Sequence, residues 1–352
     1  MRRRPPATGR VRSLPDDLDP AGGAAAATGE PVLAVRGLET VFDTREGPVH
    51  AVNRVSFEVR AGELLGVVGE SGSGKSVTMM SVLGLLPSPP ARRTGGSIRW
   101  RGRDVAAMGE RELRRLRGGE IGFVFQDPMT SLNPVFTVGF QIMEPLREHL
   151  GLSKAEARRR AAELLEMVGI PSARARLNDY PHQFSGGMRQ RVMIAIALAC
   201  EPRALIADEP TTALDVTIQA QMIELVKDLR RRLGAAIVWI THDLGVIAGI
   251  ADRVMVMYAG QVVEEAPVRA LFADPRHPYT QALLETMPRV EGARAERLTT
   301  IPGQPPRLSE APRACPFAPR CRHAMEICTR EAPPRAPVGV GRSVLCWLEA
   351  ER

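Results

Sequence analysis

Gly69, Glu70, Ser71, Gly72, Ser73, Gly74, Lys75 and Ser76 put a lysine and a serine at the end of a glycine-rich run. The pattern is G-x-x-x-x-G-K-[ST], and its spacing has a chemical reason. Glycines let successive backbone N–H groups turn inward onto phosphate oxygens. Lys75 then reaches the outer phosphates, and Ser76 offers a hydroxyl to Mg²⁺. A second pair of groups stands at Asp208 and Glu209, which close the apolar run Leu205-Ile206-Ala207. Two adjacent acids at the end of a buried strand are costly unless a cation sits beside them. Mg²⁺ supplies one, so Asp208 is expected to hold the metal and Glu209 to orient and polarise an attacking water.

These groups need a scaffold that brings them together. Leu64 to Val68 is a short apolar run with the signature of a buried strand, and a helical stretch from Val77 to Leu86 follows the glycine-rich loop until Pro87, Pro89 and Pro90 stop it. A glycine-rich turn with a chance lysine would lack those two flanks. Val32, Leu33 and Val35 begin a strand pattern, and Val52 to Val59 continue an antiparallel layer. Ile121 to Phe125 reads as a further strand, followed by helical patterns such as Lys154 to Val168 that suggest an inserted helical subdomain over about 127–190. Strand signals return at Ala204–Ala207, Ala236–Ile240 and Arg253–Met257, with helical segments at Val192–Ala199 and Ile218–Leu233 between them. That alternation predicts a mostly parallel sheet flanked by helices. The expected organisation is a leader without order over 1–30, an α/β domain over 31–265 and a Pro-rich, Cys-containing extension over 266–352. With one glycine-rich lysine loop, the chain supplies one nucleotide-binding half.

Composition narrows the function class. Hydrophobic residues are 44% and charged residues 25% of the 352, values of a folded globular chain rather than a disordered one. The longest apolar run, Val192 to Cys200, is far short of the roughly 18 residues that cross a bilayer. Arg2, Arg3 and Arg4 open the chain, but no apolar segment follows to make a secretory signal. The net charge of +7 is carried almost wholly by Arg, since Lys occurs only at positions 75, 154 and 227. It suits nucleic acid, an acidic membrane surface, a nucleotide ligand or simply a solvated Arg-rich face.

Several further segments fall in one order along the chain. Phe184-Ser185-Gly186-Gly187-Met188-Arg189-Gln190-Arg191 precedes the Asp208-Glu209 strand; Gln126 follows the strand at 121; Ala213-Leu214-Asp215 and His242 come after. From about Val32 to Glu265 the chain resembles the ATP-binding cassette (ABC) ATPases. The resemblance implies a P-loop NTPase (RecA-like) core with an antiparallel β layer and an inserted helical subdomain. It implies ATP and Mg²⁺ as ligands. It makes Ser185, Gly186 and Gly187 a signature turn that contacts the γ-phosphate held by another subunit, and Asp215 part of the D-loop. It makes His242 a contact of the γ-phosphate and the attacking water, and Gln126 a contact of metal and water that also senses the membrane partner. Phe42, 33 positions before Lys75, matches the aromatic that stacks on adenine. Phe184 and Met188 stand where Leu and Gln are commoner in that family.

Arg276-His277-Pro278-Tyr279-Thr280 and the helical Gln281–Met287 resemble the C-terminal extension of the oligopeptide/dipeptide importer ATPases. Cys315, Cys321, Cys328 and Cys346 match the same extension; their gaps are five, six and seventeen residues. Zinc knuckles use tighter spacing, and disulfides are disfavoured where ATP is available. A 4Fe–4S cluster takes four thiolates, and the extension is similar to one carrying such a cluster; Zn²⁺ and free thiols are the alternatives. Cys200, in an apolar helix, reads as core. The implied partners are a second ABC ATPase subunit, a paralogue rather than a copy, two transmembrane permease subunits and an extracytoplasmic substrate-binding protein, with the chain peripheral on the cytoplasmic face of the membrane. Nickel or glutathione-like cargo is the alternative within this branch. A soluble ABC ATPase acting on DNA or ribosomes is the alternative outside it, but such enzymes commonly carry two cassettes or coiled coils, and this chain has no basic-aromatic stretch.

Overall fold

The computed structural model describes residues 30–212, 215–287 and 300–350. The leader expected over 1–30 therefore lies outside the described residues except for Glu30, as do Ala213 and Leu214.

Two sheets organise the described residues. β1 (Pro31–Thr44), β2 (Gly47–Arg60), β4 (Ala91–Trp100) and β5 (Arg103–Asp104) form an antiparallel sheet in the order β2-β1-β4-β5. The larger sheet also takes in β3 (Leu64–Val68), β6 (Ile121–Val124), β7 (Ala204–Asp208), β8 (Ala236–Thr241), β9 (Arg253–Tyr258), β10 (Gln261–Pro267), β11 (Arg335–Gly339) and β12 (Arg342–Leu345). Its order is β11-β12-β10-β9-β3-β8-β7-β6. The five strands from β9 to β6 are mutually parallel, and β10, β12 and β11 add antiparallel to one edge.

The near-continuous apolar runs of the parallel strands follow from burial on both faces. Successive side chains alternate across the sheet. Leu64 and Val68 face the core shared with the helical region, whereas Leu65 and Val67 face the core shared with the antiparallel sheet. The same division separates Ile237 and Trp239 from Ala236, Val238 and Ile240. Four apolar side chains of β3 thus feed two cores at once.

Between β6 and β7 the chain is helical: Pro128–Ser131, Val138–Leu150, Lys154–Met167, Ala173–Arg176 and Gly186–Leu198. The Lys154–Met167 helix starts on a capping box, with Ser153 and Glu156 each accepting from the other's backbone N–H. β10 runs through position 265, where the composition shift suggested a boundary, and β12 pairs with it at Glu264 and Glu265. The cysteine-bearing extension is thereby an annex of the main sheet.

Candidate functional site

The candidate residues gather at the carboxyl ends of the parallel strands, the place where open α/β sheets bind ligands. Register fixes this: Val68 pairs with Thr241, Asp208 with Ile240 and Val124 with Ala207. The glycine-rich loop leaves β3, Glu209 follows β7, His242 follows β8 and Gln126 lies just past β6.

The loop closes onto the helix Lys75–Leu83, whose first amides and dipole face the loop's concavity. Gly74 caps it at φ 94°, and a Cβ there would stand 2.6 Å from the Ala51 carbonyl oxygen. Only glycine fits that turn. The Gly260 N–H donates to the Ser73 carbonyl at 2.9 Å, which ties the loop to the turn between β9 and β10. Lys75 is buried, and its ammonium donates to the carbonyls of Gly69 at 2.8 Å and Glu70 at 3.0 Å. Burial pushes its pKa down, against the nearby Glu209, Asp208 and Glu70 carboxylates. Burial and the three carboxylates thus act on the ammonium in opposite directions.

Ser76 donates its hydroxyl to Asp208 Oδ1 at 2.8 Å. Burial pushes the Asp208 carboxyl pKa up, and the Ser76 hydrogen bond works against that rise. A hydroxyl and a buried carboxylate meeting at one point make an oxygen donor set of the kind Mg²⁺ takes. Glu209 sits at φ 45°, a left-handed backbone that a non-glycine residue adopts at a cost of about 1–3 kcal/mol. Its Oε2 accepts from Gln126 Nε2 at 3.2 Å and from the Thr212 hydroxyl at 3.0 Å, and His242 Nδ1 lies 3.4 Å away. Gln126, Glu209 and His242 therefore form one cluster. Thr212 belongs to it too; a threonine in a loop carries no sequence signal for such a contact.

Ser185 caps the helix Gly186–Leu198, its hydroxyl accepting from the Met188 N–H at 3.3 Å. With Gly169, Gly186, Gly187, Arg191 and Asp215 it lines an open cavity. Gly187 is needed there, because a Cβ would approach Ile218 Cγ2 to 2.8 Å. Asp215 caps the helix Val216–Leu233 by accepting from the Ile218 N–H at 2.9 Å. The loop at 69–76 does not line this cavity. Within one chain the Ser185–Gly187 turn and the glycine-rich loop therefore do not share this cavity. Phe42, half-buried in β1, pairs with Val49 and Ala91.

Cys315, Cys321, Cys328 and Cys346 line one small cavity beside His277 and Phe317, and all four are free thiols. Burial raises the pKa of Cys315 and Cys321 and pushes that of Cys346 up to about 12. The Cys315 N–H donates to the Cys328 carbonyl at 2.9 Å. Among the described residues, no group of three or more His, Cys, Asp or Glu side chains is placed to hold a single metal ion. Two contacts from this extension reach the nucleotide loop itself: Arg320 pairs with the Glu70 carboxylate, and Tyr279 accepts from the Glu70 N–H. Sequence reasoning reached neither, since 250 and 209 positions separate the partners.

Known proteins resemble this chain over most of its length. The ABC transporter family matches residues 52–212, and the C-terminal region of oligopeptide/dipeptide transporters matches 263–328. The oligopeptide transport ATP-binding protein OppD of Bacillus subtilis is 53% identical over 317 residues, covering 90% of this chain and 88% of that protein. The chain belongs to the ABC transporter ATPases. OppD of Salmonella typhimurium is also 53% identical, over 91% of this chain and 94% of its own length. Among solved structures, the dimeric ATP-binding cassette MJ0796 bound to ADP and Pi is 30% identical with a TM-score of 0.61, covering 67% of this chain and 98% of that one. As a member of this family the chain is an ATP-binding protein whose ATPase activity is coupled to transport. No helix among its described residues is long and apolar enough to cross a membrane.

Proposed function

We propose that this chain is the ATP-hydrolysing subunit of a bacterial importer of di- and oligopeptides, peripheral on the cytoplasmic face of the membrane. The observation that carries the reading is the convergence of Lys75, Ser76, Asp208, Glu209, Gln126 and His242 on one crest of the sheet. ATP lies along the amides of Gly69, Ser71, Gly72, Ser73 and Gly74, with Lys75 on its outer phosphates and Phe42 beside the base. Ser76, Asp208 and Gln126 would hold Mg²⁺, which would neutralise phosphate charge there. Glu209 takes a proton from the attacking water, and His242 positions it. The γ-phosphate needs the second half-site, Ser185, Gly186, Gly187 and Asp215, from another ATPase subunit; the separation of the two half-sites within one chain supports that requirement. The named dimer of MJ0796 supports the same arrangement.

Peptide cargo follows from the relatives' names and from the matched C-terminal region. Cargo selection itself belongs to the permeases and the extracytoplasmic binding protein. An apolar face just past Gln126 supports permease docking: Met129 is 64% and Val135 70% exposed, and the rings of Phe136 and Phe140 stack at 4.7 Å in the open. Exposed side chains of that size on a folded domain mark an interaction surface. Closure around ATP then moves Gln126 and the docked helices together.

The four cysteines are read as the ligands of a 4Fe–4S cluster. Four free thiols around one cavity supply the right donors. Among the described residues no group of three or more His, Cys, Asp or Glu side chains is placed to hold a metal ion; the shared cavity of the four thiols is what supports the reading. A cluster there would be a structural staple for the extension. The deciding test of the whole reading is Lys75→Ala in the complete complex: removal of the ammonium abolishes ATP turnover and ATP-driven peptide uptake. Turnover equal to that of the unaltered complex refutes it.

A further inference from the structure

We propose that Arg320 and Tyr279, both from the C-terminal extension, are positioning residues for the nucleotide loop. They act through Glu70, the residue after Gly69. Arg320 donates to both Glu70 oxygens, at 2.7 Å and 2.9 Å, in the fork geometry that makes an arginine–carboxylate pair directional. The Arg320 side chain is only 5% exposed and that of Glu70 26%, so water screens the pair little. The rest of the guanidinium is fixed as well: its Nε donates to the Pro302 carbonyl at 2.8 Å, and Nη1 stands 3.3 Å from the Tyr258 hydroxyl. The Glu70 N–H donates to the Tyr279 hydroxyl at 2.8 Å. Tyr279 is itself immobilised, its ring packed against Tyr258 at 4.6 Å and Phe317 at 5.3 Å.

The side chain and the backbone of one loop residue are thus gripped from the same side. Arg320 and Tyr279 hydrogen-bond to Glu70 and to none of Lys75, Ser76, Asp208, Glu209, Gln126 or His242. Their effect is to hold the loop in its phosphate-binding curve before ATP arrives, which spares ATP the ordering cost. Arg320 lies between Cys315 and Cys321, and Phe317 between the same two thiols. The grip and the thiol cavity therefore share one short segment. By reciprocity, nucleotide on the loop must in turn steady that segment.

The inference rests on the function proposed above. Its test uses the anaerobically purified full chain with its partner ATPase and a fluorescent ATP analogue with Mg²⁺. Arg320→Ala is expected to weaken analogue binding about tenfold, the worth of a shielded charge-assisted pair. In a Glu70→Gln background Arg320→Ala is expected to cost less than in the unaltered protein, because the charge of the pair is already gone. Arg320→Lys recovers part of the loss, and Tyr279→Phe costs about threefold. Turnover of Arg320→Ala and Tyr279→Phe at saturating ATP stays within about twofold, since neither side chain belongs to the phosphate-binding run. Hydrogen exchange over Cys315–Cys328 slows when the analogue binds the unaltered protein. Should Arg320→Ala fail to fold, Arg320→Lys and Tyr279→Phe carry the test. Unchanged affinity in the folded variants, or losses that simply multiply in the double variant, overturns the proposal. Absence of binding by the unaltered complex overturns the function itself, a distinct outcome.

Discussion

Replacing Glu209 by Gln separates the chemistry of the site from its binding. The change keeps the length of the side chain. The amide oxygen can still accept from the Thr212 hydroxyl and from Gln126 Nε2, which stand 3.0 Å and 3.2 Å from Oε2. The unusual backbone at φ 45° is untouched. The structural cost is therefore the weakening of charge-assisted hydrogen bonds to neutral ones, about 1 kcal/mol. One of the three carboxylates that favour the charged Lys75 becomes neutral, but Asp208 and Glu70 persist. The loop stays cationic, and a negative neighbour of the γ-phosphate disappears, so ATP affinity holds or rises. Hydrolysis differs, because an amide takes no proton from water. Loss of a general base removes about 10²- to 10⁴-fold in rate, or about 3–5 kcal/mol of transition-state stabilisation. Single-turnover hydrolysis of labelled ATP by the complex, run beside an equilibrium binding titration, reads the two quantities separately. The ATP-bound pair of ATPase subunits should also accumulate in its closed form on size exclusion. A rate within about threefold of the unaltered complex would refute the assignment of the base to Glu209. A rate loss matched by an equal loss of affinity would refute the separation.

Three other perturbations test different parts of the account. Gly74→Ala places a Cβ 2.6 Å from the Ala51 carbonyl oxygen at φ 94°; a urea titration should show about 2–4 kcal/mol of lost stability, and an unchanged midpoint would mean that the turn can relax. His277 is fully buried, accepts from the Tyr279 N–H through Nδ1 at 3.0 Å, and burial pulls its pKa down from 6.5 to about 3. A depressed folded-state pKa means stability that is complete above about pH 6.5 and lost as the pH falls toward 3, at up to about 1.4 kcal/mol per unit. His277→Asn keeps a capping oxygen and should flatten the difference between pH 6.5 and 4.5 in denaturation curves; equal slopes in the two proteins would remove His277 as the cause. Anaerobically purified chain should be brown and hold about four irons, and Cys346→Ser should lower that content; colourless protein with stoichiometric zinc would eliminate the cluster.

What the sequence disclosed and what it hid divide along one physical line. Groups that act through local backbone geometry were legible: the glycine-rich loop, the acids ending β7 and the capping serine of the signature turn each carry their spacing within a few residues. The parallel strands were legible because burial on both faces leaves an uninterrupted apolar run. β4 was not, because Gly95 and Gly96 interrupt it where its register with β1 shifts. β11 was not, because Pro337 breaks the pattern; an edge position tolerates that missing donor. The helix after the loop begins at Lys75 rather than Val77, since Gly74 supplies its cap in the left-handed region. Thr212, Tyr279 and Arg320 act only through contacts that the finished fold creates, and no periodicity encodes those.

The same line explains why the extension is more than an appendage. Burial pushes the Glu264 carboxyl pKa up, and its two oxygens accept from the N–H groups of Arg276 and His277 at 2.8 Å each. Those bonds fix the start of the helix Pro278–Glu285, which carries Tyr279 to the Glu70 N–H. A strand of the main sheet, a buried acid, a capping histidine and a tyrosine thus form one continuous support beneath the phosphate loop. Arg320 closes the support from the thiol-bearing side. Cutting the chain after position 265 would strip both partners from Glu70 and leave Tyr258, now fully buried, open to water. Both side chains that hold Glu70, Tyr279 and Arg320, come from beyond residue 265.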